Sequence, residues 1–446
     1  MNMKILFAII LTTQCAQALF SQDSMRYKVD ELLKAYQQLG KFNGSVLVAE
    51  KGKIVLEQGY GFKNFGDSSL NDPNTIFQIA SVTKQFTAIV ILKLIELKKI
   101  ALTDKLSKFY PDFPKGDSIS IENLLTHTSG ITDHFNDSNL KPSSAVSEDI
   151  IQSSIKKYGL QFSPGSNWEY TNKGYQLLGY IIEKVSKMTY FEAVRKYIFS
   201  PLKMSSSGFD FSHLISNEKA TGYWSYPENA MTAGADVIDS AASFAAGSIY
   251  STVRDLYKWH EGLQNYEIVP KALLEKAYTP QKNKYGFGLF IDSISNKRVI
   301  SHSGDIFGFK SDIERVPQDD VCIALLTNVE DPNIEFISKK IISILYHEPY
   351  DLPAKNKITI STEILKRYLG SYEVRPGQVV GLTLENGRLM ATTDHKQELY
   401  AQSDNHFIAD NDRLQIEIQF ETNPTGQVTD LYFYNGGQKI ICKKIN

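Results

Sequence analysis

Ser81 and Lys84 are spaced as a nucleophile and its base would be on one helix, within the segment IFQIASVTKQFTAIVILKLIEL. A serine hydroxyl is a poor nucleophile at neutral pH and needs a base within hydrogen-bond reach. Residues i and i+3 share a helical face, so a helix that begins at Ser81 places the Lys84 amine beside the hydroxyl. Burial in an apolar environment would lower the pKa of this lysine. The pair is therefore a candidate for nucleophilic catalysis.

The Ser-x-x-Lys pattern occurs six times, so its context must identify the match that does chemistry. After Ser81 the sequence is apolar nearly all round as far as Leu97, which is typical of a helix buried in a core. Only Ser81 has this setting. The other matches lie in polar, lysine-rich or loop-like sequence, where a surface role is expected, and begin at Ser138, Ser153, Ser154, Ser200 and Ser216.

Tyr170 and Asn172 form a second polar group, in FSPGSNWEYTNKGYQLLG, between a Pro-Gly turn and a predicted helix. Of the 24 tyrosines only Tyr170 is followed two positions later by asparagine. About one such pair is expected by chance, so the exposed position before a helix carries the argument. The alternative interpretation makes Asn172 only the N-cap of that helix.

A third group, His302, Ser303 and Gly304, ends the predicted strand KRVIS. A small residue and a glycine on an edge strand would let a substrate backbone lie alongside the strand. The alternative is an ordinary histidine at a strand end. A second His-x-Gly begins at His260, but it lies in a predicted helix, where this histidine is expected to face solvent.

The elements that must position these groups form an α/β chain with a separate C-terminal part. Strand patterns near the start and from residue 285 onward, with helices between them, predict one antiparallel sheet shared by both ends and a helical region beside it. The polar, proline-containing segment HEPYDLPAKNK predicts a linker. About eight short alternating strands follow, with a turn at Asn386-Gly387, and predict a small all-β domain, barrel-like or sandwich-like.

Composition narrows the function classes. The 446 residues are 42% hydrophobic with a formal net charge of −2, so the chain can bury large cores and has no basic excess for nucleic acid. Cys322 and Cys442 lie in apolar, strand-like runs, which favours buried thiols over a disulfide or a metal site.

The N-terminal sequence MNMKILFAIILTTQCAQALFSQDS predicts a secretory signal peptide over residues 1–21. The alternative is an uncleaved membrane anchor, but the apolar run is too short to span a bilayer comfortably. No transmembrane segment is expected once the signal peptide is removed. Cys15 has a poor context for lipidation. We therefore expect a periplasmic or extracellular protein.

Ser-x-x-Lys, Tyr-x-Asn and His-x-Gly, in this order, resemble the motifs of the penicillin-recognising serine hydrolases, and most closely the class C β-lactamase-like group. That group includes D-alanyl-D-alanine carboxypeptidases, D-aminopeptidases and esterases. The resemblance implies a β-lactamase/transpeptidase-like catalytic domain over residues 25–346, a linker over 347–358 and a lipocalin-like β-domain over 359–446. Further matching segments are GSVLVAEKGK, ENLLTHTSGI, SPLKM, AAGSIYSTVRDL and YGFGL.

The resemblance implies that Ser81 attacks a carbonyl carbon and becomes acylated. Lys84 and Tyr170 would form the base system, with Tyr170 held partly ionised by Lys84 and shuttling the proton. Asn172 would steady Lys84 and bind the substrate. Water would hydrolyse the acyl-enzyme, so neither a metal nor a cofactor is expected.

The strand residues His302, Ser303 and Gly304 would bind the substrate, and the backbone N–H groups of Ser81 and Asp305 would form the oxyanion hole. Two residues depart from the family pattern. His302 replaces the lysine of many β-lactamases and removes a fixed cation, so a bound carboxylate would require a protonated imidazole and lose affinity above about pH 7. Asp305 brings a carboxylate near the oxyanion site, where small residues are frequent.

The sequence therefore predicts an exported serine hydrolase for amide or ester substrates, either small molecules or peptides, including cell-wall-derived D-amino-acid peptides. A D-alanyl-D-alanine carboxypeptidase or a D-aminopeptidase fits this description. A carboxylesterase is the alternative among enzymes. A catalytically silent penicillin-binding receptor is the alternative outside them.

Overall fold

The computed structural model describes most of the chain in two compact units, Met1–Glu330 and Asp331–Asn446. The predicted signal peptide with Cys15 lies outside the described residues, as does the end of the predicted linker. The described residues are 23–133, 147–227, 232–294, 296–330, 334–353, 360–375, 378–392, 396–411, 414–423, 427–435 and 438–445.

The described part of the first unit contains ten strands: β1 (Gly44–Glu50), β2 (Lys53–Tyr60), β3 (Phe62–Asn64), β4 (Ser69–Leu70), β5 (Phe77–Gln78), β6 (Tyr250–Ser251), β7 (Phe290–Ile294), β8 (Lys297–Ile306), β9 (Phe309–Val316) and β10 (Val321–Thr327). Six of them form an antiparallel sheet in the order β2-β1-β10-β9-β8-β7, and two short pairs, β3-β4 and β5-β6, lie apart from it. The first strand pairs with the last, β1 with β10, so the predicted sheet shared by both ends is confirmed.

Helices of the first unit connect and accompany this sheet. A 3₁₀ turn, Ala80–Val82, precedes α2. The helices are α1 (23–38), α2 (Thr83–Glu96), α3 (Ile121–Leu125), α4 (Glu148–Tyr158), α5 (Asn172–Ser186), α6 (Tyr190–Val194), α7 (Ser240–Gly247), α8 (Val253–Gln264) and α9 (Lys271–Ala277).

The helix after Ser81 is buried on nearly every side, as its sequence predicts. Every residue of α2 from Thr83 to Leu92 is buried, and the two charges near its end, Lys93 and Glu96, pair at 2.7 Å. The ring of Phe86 stacks on Trp259 of α8 with 4.3 Å between ring centroids. Packing on all sides therefore holds the helix that follows the candidate nucleophile.

Two sequence-based expectations about histidine-containing segments are corrected. β8 is not an edge strand, because β7 pairs with it from Lys297 to Ser301. Beyond Ser301 no described residue pairs with that side of β8, so only its last residues present a free edge.

The second correction concerns His260, which does not face solvent. It is 1% exposed, and its ring accepts a hydrogen bond from Arg315 at 2.9 Å.

The second unit is a closed eight-stranded barrel with two described helices, α10 (Ile334–Leu345) and α11 (Thr362–Lys366). Each strand pairs with its sequence neighbours and the last closes on the first, so the predicted barrel-like β-domain is confirmed. The strands are β11 (Gly370–Arg375), β12 (Gln378–Glu385), β13 (Arg388–Thr392), β14 (Lys396–Ser403), β15 (His406–Asn411), β16 (Leu414–Thr422), β17 (Val428–Asn435) and β18 (Gln438–Lys444).

The interior of this barrel is a packed core. Tyr368 stacks on Phe420 with 4.0 Å between centroids, and Phe407 meets Phe420 edge-on. The predicted turn between β12 and β13 is present, with φ of 49° at Asn386 and 78° at Gly387, as a tight hairpin requires. Aromatic side chains therefore occupy part of the interior, and a cavity of about 310 Å³ remains beside Leu389, Leu399 and Phe407.

The remaining whole-chain expectations concern cysteines and membrane spans. Cys322 and Cys442 are both buried, as predicted, and neither of these two described cysteines forms a disulfide. Within the part of the chain that the structure describes, no helix is long and apolar enough to cross a membrane.

Candidate active site

Ser81 lies in a strained but well-anchored turn at the start of α2. The preceding residue, Ala80, has φ 45°, and such left-handed backbone costs a non-glycine residue on the order of 1–3 kcal/mol. Ile79 anchors the turn: its N–H donates to the Ile249 carbonyl at 2.9 Å, and its carbonyl accepts from the Ser311 hydroxyl at 2.7 Å. Surrounding β-structure therefore holds Ser81 in a position that its local sequence would not favour.

Gly304 allows β8 to pass directly against this turn. A Cβ atom at position 304 would lie 2.3 Å from the Ile79 carbonyl oxygen and 2.5 Å from the Ser311 Oγ. Both atoms belong to the protein, so glycine is required at position 304 because β8 packs directly against the turn before Ser81. The close approach brings the free edge of β8 beside Ser81.

Lys84 is fully buried and bonded as a neutral base would be. Its Nζ lies 3.0 Å from the Ser81 Oγ, 2.8 Å from the Asn172 Oδ1 and 2.9 Å from the Ala246 carbonyl oxygen. The last two atoms can only accept, so a neutral amine gives both its hydrogens to them and turns its lone pair toward Ser81. Burial lowers the pKa of Lys84 to about 7, against a smaller opposite effect of the Asp133 carboxylate.

A kink in α7 supplies one of these acceptors. Phe244 has φ 40° inside the helix, which breaks the regular hydrogen-bond ladder. The next two carbonyls then accept side-chain donors from α2: Ala245 accepts from Thr87 at 2.7 Å and Ala246 from Lys84 at 2.9 Å. The strained residue thus orients α7 toward the base.

Asn172 is the first residue of α5, and its amide bridges the Lys84 amine and the Asp133 carboxylate. Its Nδ2 donates to the Asp133 carboxylate at 3.0 Å, and a carboxylate can only accept, so Oδ1 must face Lys84. The N-cap is Thr171. The alternative of Asn172 as a mere cap is therefore replaced by a bridging role, and its expected contact with Lys84 is present.

Asp133 is a site residue that sequence reasoning missed. Its carboxylate accepts from the Thr171 hydroxyl at 2.7 Å and from the backbone N–H groups of Asn172 and Lys173 at 2.8 and 3.2 Å. These hydrogen bonds hold the start of α5 beside Lys84. The only sequence signal is its place directly after ENLLTHTSGI and one threonine, a segment recognised as a family match without a role.

Tyr170 approaches the same pair of residues. The Lys84 Nζ lies 4.7 Å from its ring centroid. Burial raises the pKa of Tyr170 and outweighs the smaller, lowering effect of the neighbouring Ser81 side chain. A partly ionised tyrosine, as the resemblance implied, is therefore disfavoured, and the geometry favours Lys84 as the base with a protonated Tyr170 beside it.

His127, also missed from the sequence, holds the segment around Tyr170. Its carbonyl accepts from the Glu169 N–H at 3.0 Å and its Nδ1 from the Thr171 N–H at 3.2 Å. Between these two anchors the Tyr170 ring lies 4.3 Å from the imidazole, centroid to centroid. Burial lowers the pKa of His127 well below its ordinary value, so it remains a neutral acceptor.

We expect His127→Leu to lower kcat by roughly 10- to 100-fold with little change in KM, because a displaced catalytic group can cost about a hundredfold. His127→Asn should restore much of the rate, since its amide oxygen can replace Nδ1 and asparagine tolerates the φ of 56° found here. Steady-state kinetics with a p-nitrophenyl ester and melting temperatures measure this. A lower melting temperature with kcat unchanged in the folded protein would contradict a positioning role.

His302 lies beside the site but turns its side chain into the protein. It is 2% exposed, its Nδ1–H donates to the Ser303 carbonyl at 2.6 Å, and its Nε2 accepts from the Tyr285 hydroxyl at 3.0 Å. Burial, aided by the positive charge of Lys84, lowers the pKa of His302 to about 3. The expected protonated imidazole for a substrate carboxylate is thus not supported, because the ring stays neutral near pH 7.

The Asp305 carboxylate is paired within the β8–β9 hairpin. Its side chain is 58% exposed and its Oδ2 pairs with the Lys310 Nζ at 2.9 Å across that hairpin. Asp305 lines the cavity beside Ser81, and the lysine offsets the charge that this carboxylate brings near the expected oxyanion.

A cavity of about 290 Å³ opens beside Ser81 between α5, α7 and the end of β8. Among the described residues no cluster of histidine, cysteine and carboxylate side chains is suited to hold a metal ion. The lining residues are Ala80, Ser81, Asp133, Asn172, Lys173, Gln176, Ile238, Ala242, Ser243, Ala246, Gly247, Asp305 and Ile306.

Comparison with known proteins matches both units to families. Residues 29–343 match the Beta-lactamase family, and residues 354–441 match a domain of unknown function (DUF3471). Penicillin-binding protein 4* of Bacillus subtilis is 28% identical over 452 residues, covering 94% of this chain and 98% of that protein.

Two solved structures share the fold. The octameric penicillin-binding protein homologue from Pyrococcus abyssi has a TM-score of 0.67 at 24% identity, covering 93% of this chain and 99% of its own. The D-amino acid amidase from Ochrobactrum anthropi SV3 has a TM-score of 0.61 at 22% identity, covering 73% and 99%.

Proposed function

The chain belongs to the Beta-lactamase family, and from that membership and the geometry at Ser81 we propose that it is a serine hydrolase acting through a covalent acyl-enzyme on amides or esters. The observation that carries the proposal is the buried Lys84: of its three hydrogen-bond partners among the described residues, only the Ser81 hydroxyl, at 3.0 Å, has a proton to give. A lysine with a pKa of about 7 is substantially neutral at working pH and can take the serine proton.

In the proposed reaction the Ser81 Oγ bonds to the substrate carbonyl carbon while its proton moves to Lys84. The proton then passes through the Tyr170 hydroxyl to the leaving nitrogen or oxygen as that bond breaks. Water attacks the acyl-enzyme by the reverse proton route and releases a carboxylic acid. Lys84 is hydrogen bonded to the Ser81 Oγ and the Tyr170 ring lies beside the Lys84 amine, so both groups adjoin the reacting atoms.

We place the oxyanion at the backbone N–H groups of Ser81 and Asp305. Both residues line the cavity, and the Asp305 carboxylate is paired with Lys310. One such donor typically contributes about 3 kcal/mol to transition-state stabilisation. The backbone groups of Ser303 and Gly304, at the free edge of β8, would bind the substrate. The His302 ring instead bonds to the Ser303 carbonyl and the Tyr285 hydroxyl.

We further propose that the hydrolase domain spans residues 25–346, that 347–358 form a linker and that the protein is exported after loss of residues 1–21. The predicted signal sequence supports export. The aromatic core around Phe420 supports a stabilising role for the β-domain.

A fluorophosphonate probe tests the proposal most directly. The probe should label the protein at Ser81, identified by mass spectrometry of the modified peptide, and labelling should fall below about pH 7 as Lys84 becomes protonated. Modification elsewhere, or none at any pH, would argue instead for the catalytically silent receptor.

For the substrate class, we expect esters and amides without a carboxylate to be turned over better than β-lactams or D-Ala-D-Ala peptides. The neutral His302 offers no cation to such a carboxylate, which also keeps the carboxylesterase alternative open. The measurement compares kcat/KM for p-nitrophenyl esters, nitrocefin and a D-Ala-D-Ala peptide at about pH 6 and about pH 8, either side of an ordinary histidine pKa. Nitrocefin as the best substrate would overturn the expectation.

A further inference from the structure

Gln176 lines the Ser81 cavity and carries a buried acceptor that no protein donor uses. Its side chain is 3% exposed, its Nε2 donates to the Ala242 carbonyl at 2.9 Å, and its Oε1 has no hydrogen-bond partner among the described residues. A carbonyl oxygen can only accept, so the amide orientation is determined and Oε1 is the end left over. Buried polar groups are almost always paired, so an unpaired one calls for a partner from outside the chain.

Two helices, α5 and α7, contact each other beside Lys84 and determine where Gln176 lies. Asn172 of α5 and Ala246 of α7 both hold Lys84, while Gln176 of α5 bonds to Ala242 of α7. The two helices therefore run antiparallel along the cavity, and Gln176 lies four residues, about 6 Å, beyond Asn172 along α5.

A second unpartnered polar group lies on this wall. The Ser243 hydroxyl, which can donate or accept, has no partner among the described residues, and Ser243 lies next to Ala242 on the cavity wall. The Asp133 carboxylate is already occupied by four donors from residues 171–173. A ligand here gains most by bringing an N–H donor to Gln176.

We propose that Gln176 determines substrate specificity by accepting a hydrogen bond from an N–H group on the acyl part of the substrate. The inference rests on the proposed acyl-enzyme, because the acyl part is the one that stays attached to Ser81 beside α5 while the leaving group departs. The favoured substrates are then amino-substituted acyl compounds, with the nitrogen a few bonds from the reacting carbonyl.

The test compares p-nitroanilides of 2-, 3- and 4-aminobutanoic acid with that of butanoic acid, in the wild type and in Gln176→Met. We expect the wild type to prefer at least one amino isomer, and Gln176→Met to reduce that preference about tenfold, the scale of one hydrogen bond. Gln85→Met is the matched control and should leave the preference intact. Gln85 is also a buried glutamine, but it does not line the cavity, and its side-chain oxygen accepts a hydrogen bond from Trp259.

A binding measurement keeps the inference testable if turnover is absent. In Ser81→Ala, calorimetry should find an aminobutanamide bound more tightly than butanamide, and the added Gln176→Met change should remove the difference. Equal preference in wild type and Gln176→Met for all three isomers, within about twofold, overturns the inference. Absence of turnover with an intact binding preference would count against the proposed hydrolase and leave the Gln176 subsite standing.

Discussion

Ser81→Ala is expected to lower kcat/KM for p-nitrophenyl acetate by at least about 10⁴-fold, since losing a serine nucleophile costs up to about 10⁶-fold in a serine protease. The Oγ atom forms the covalent bond, and alanine leaves only cavity binding and the backbone donors. The fold should survive, because the turn is held by Ile79 and its partners rather than by the Ser81 hydroxyl. The measurement is steady-state hydrolysis together with a melting curve.

Ser153→Ala is the matched control for this substitution. Ser153 also begins a Ser-x-x-Lys pattern, but it is exposed on α4, so its loss should change neither rate nor stability. A Ser81→Ala protein that retains wild-type turnover and melts normally would rule out the serine mechanism, whatever the family membership.

The second large effect is expected at the base. kcat/KM should rise with pH through an ionisation near 7, because the pKa of Lys84 is lowered to about 7 and only the neutral amine accepts a proton. Below that pH the amine is charged and the rate falls; above it the rate levels off. Lys84→Met should remove this limb and reduce kcat/KM by about 10²–10⁴-fold, the contribution of a general base.

Lys93→Met provides the control, since Lys93 is on the same helix but pairs with Glu96 near the surface. It should keep both the rate and the pH profile.

Tyr170→Phe separates the two members of the base system. It should lower the rate by about a hundredfold yet preserve the rise of kcat/KM with pH near 7. Loss of the limb in Tyr170→Phe, with its retention in Lys84→Met, would identify the phenol as the titrating base.

Several features of this protein followed from the sequence because they depend on local spacing. The unbroken apolar run after Ser81 predicted a buried helix, and the i, i+3 spacing placed Lys84 beside the serine. Period-two alternation near the C-terminus predicted the β-barrel, where Ile418 and Phe420 are fully buried. In each case neighbours along the chain determine the face on which a side chain lies, so pattern alone was sufficient.

Tertiary structure decided what depends on residues far apart in the chain. Asp133 and His127 act on residues 169–173 through hydrogen bonds that no spacing rule encodes. The protonation state of His302 also depends on tertiary structure. Its residue type suggested an imidazole that could be protonated to bind a substrate carboxylate, but burial keeps the ring neutral and Tyr285 is its hydrogen-bond partner. Burial and hydrogen-bond partners set a pKa, and both are determined only when distant segments pack together, which is why the neutral state of His302, the raised pKa of Tyr170 and the unpaired Gln176 acceptor could be seen only in the fold.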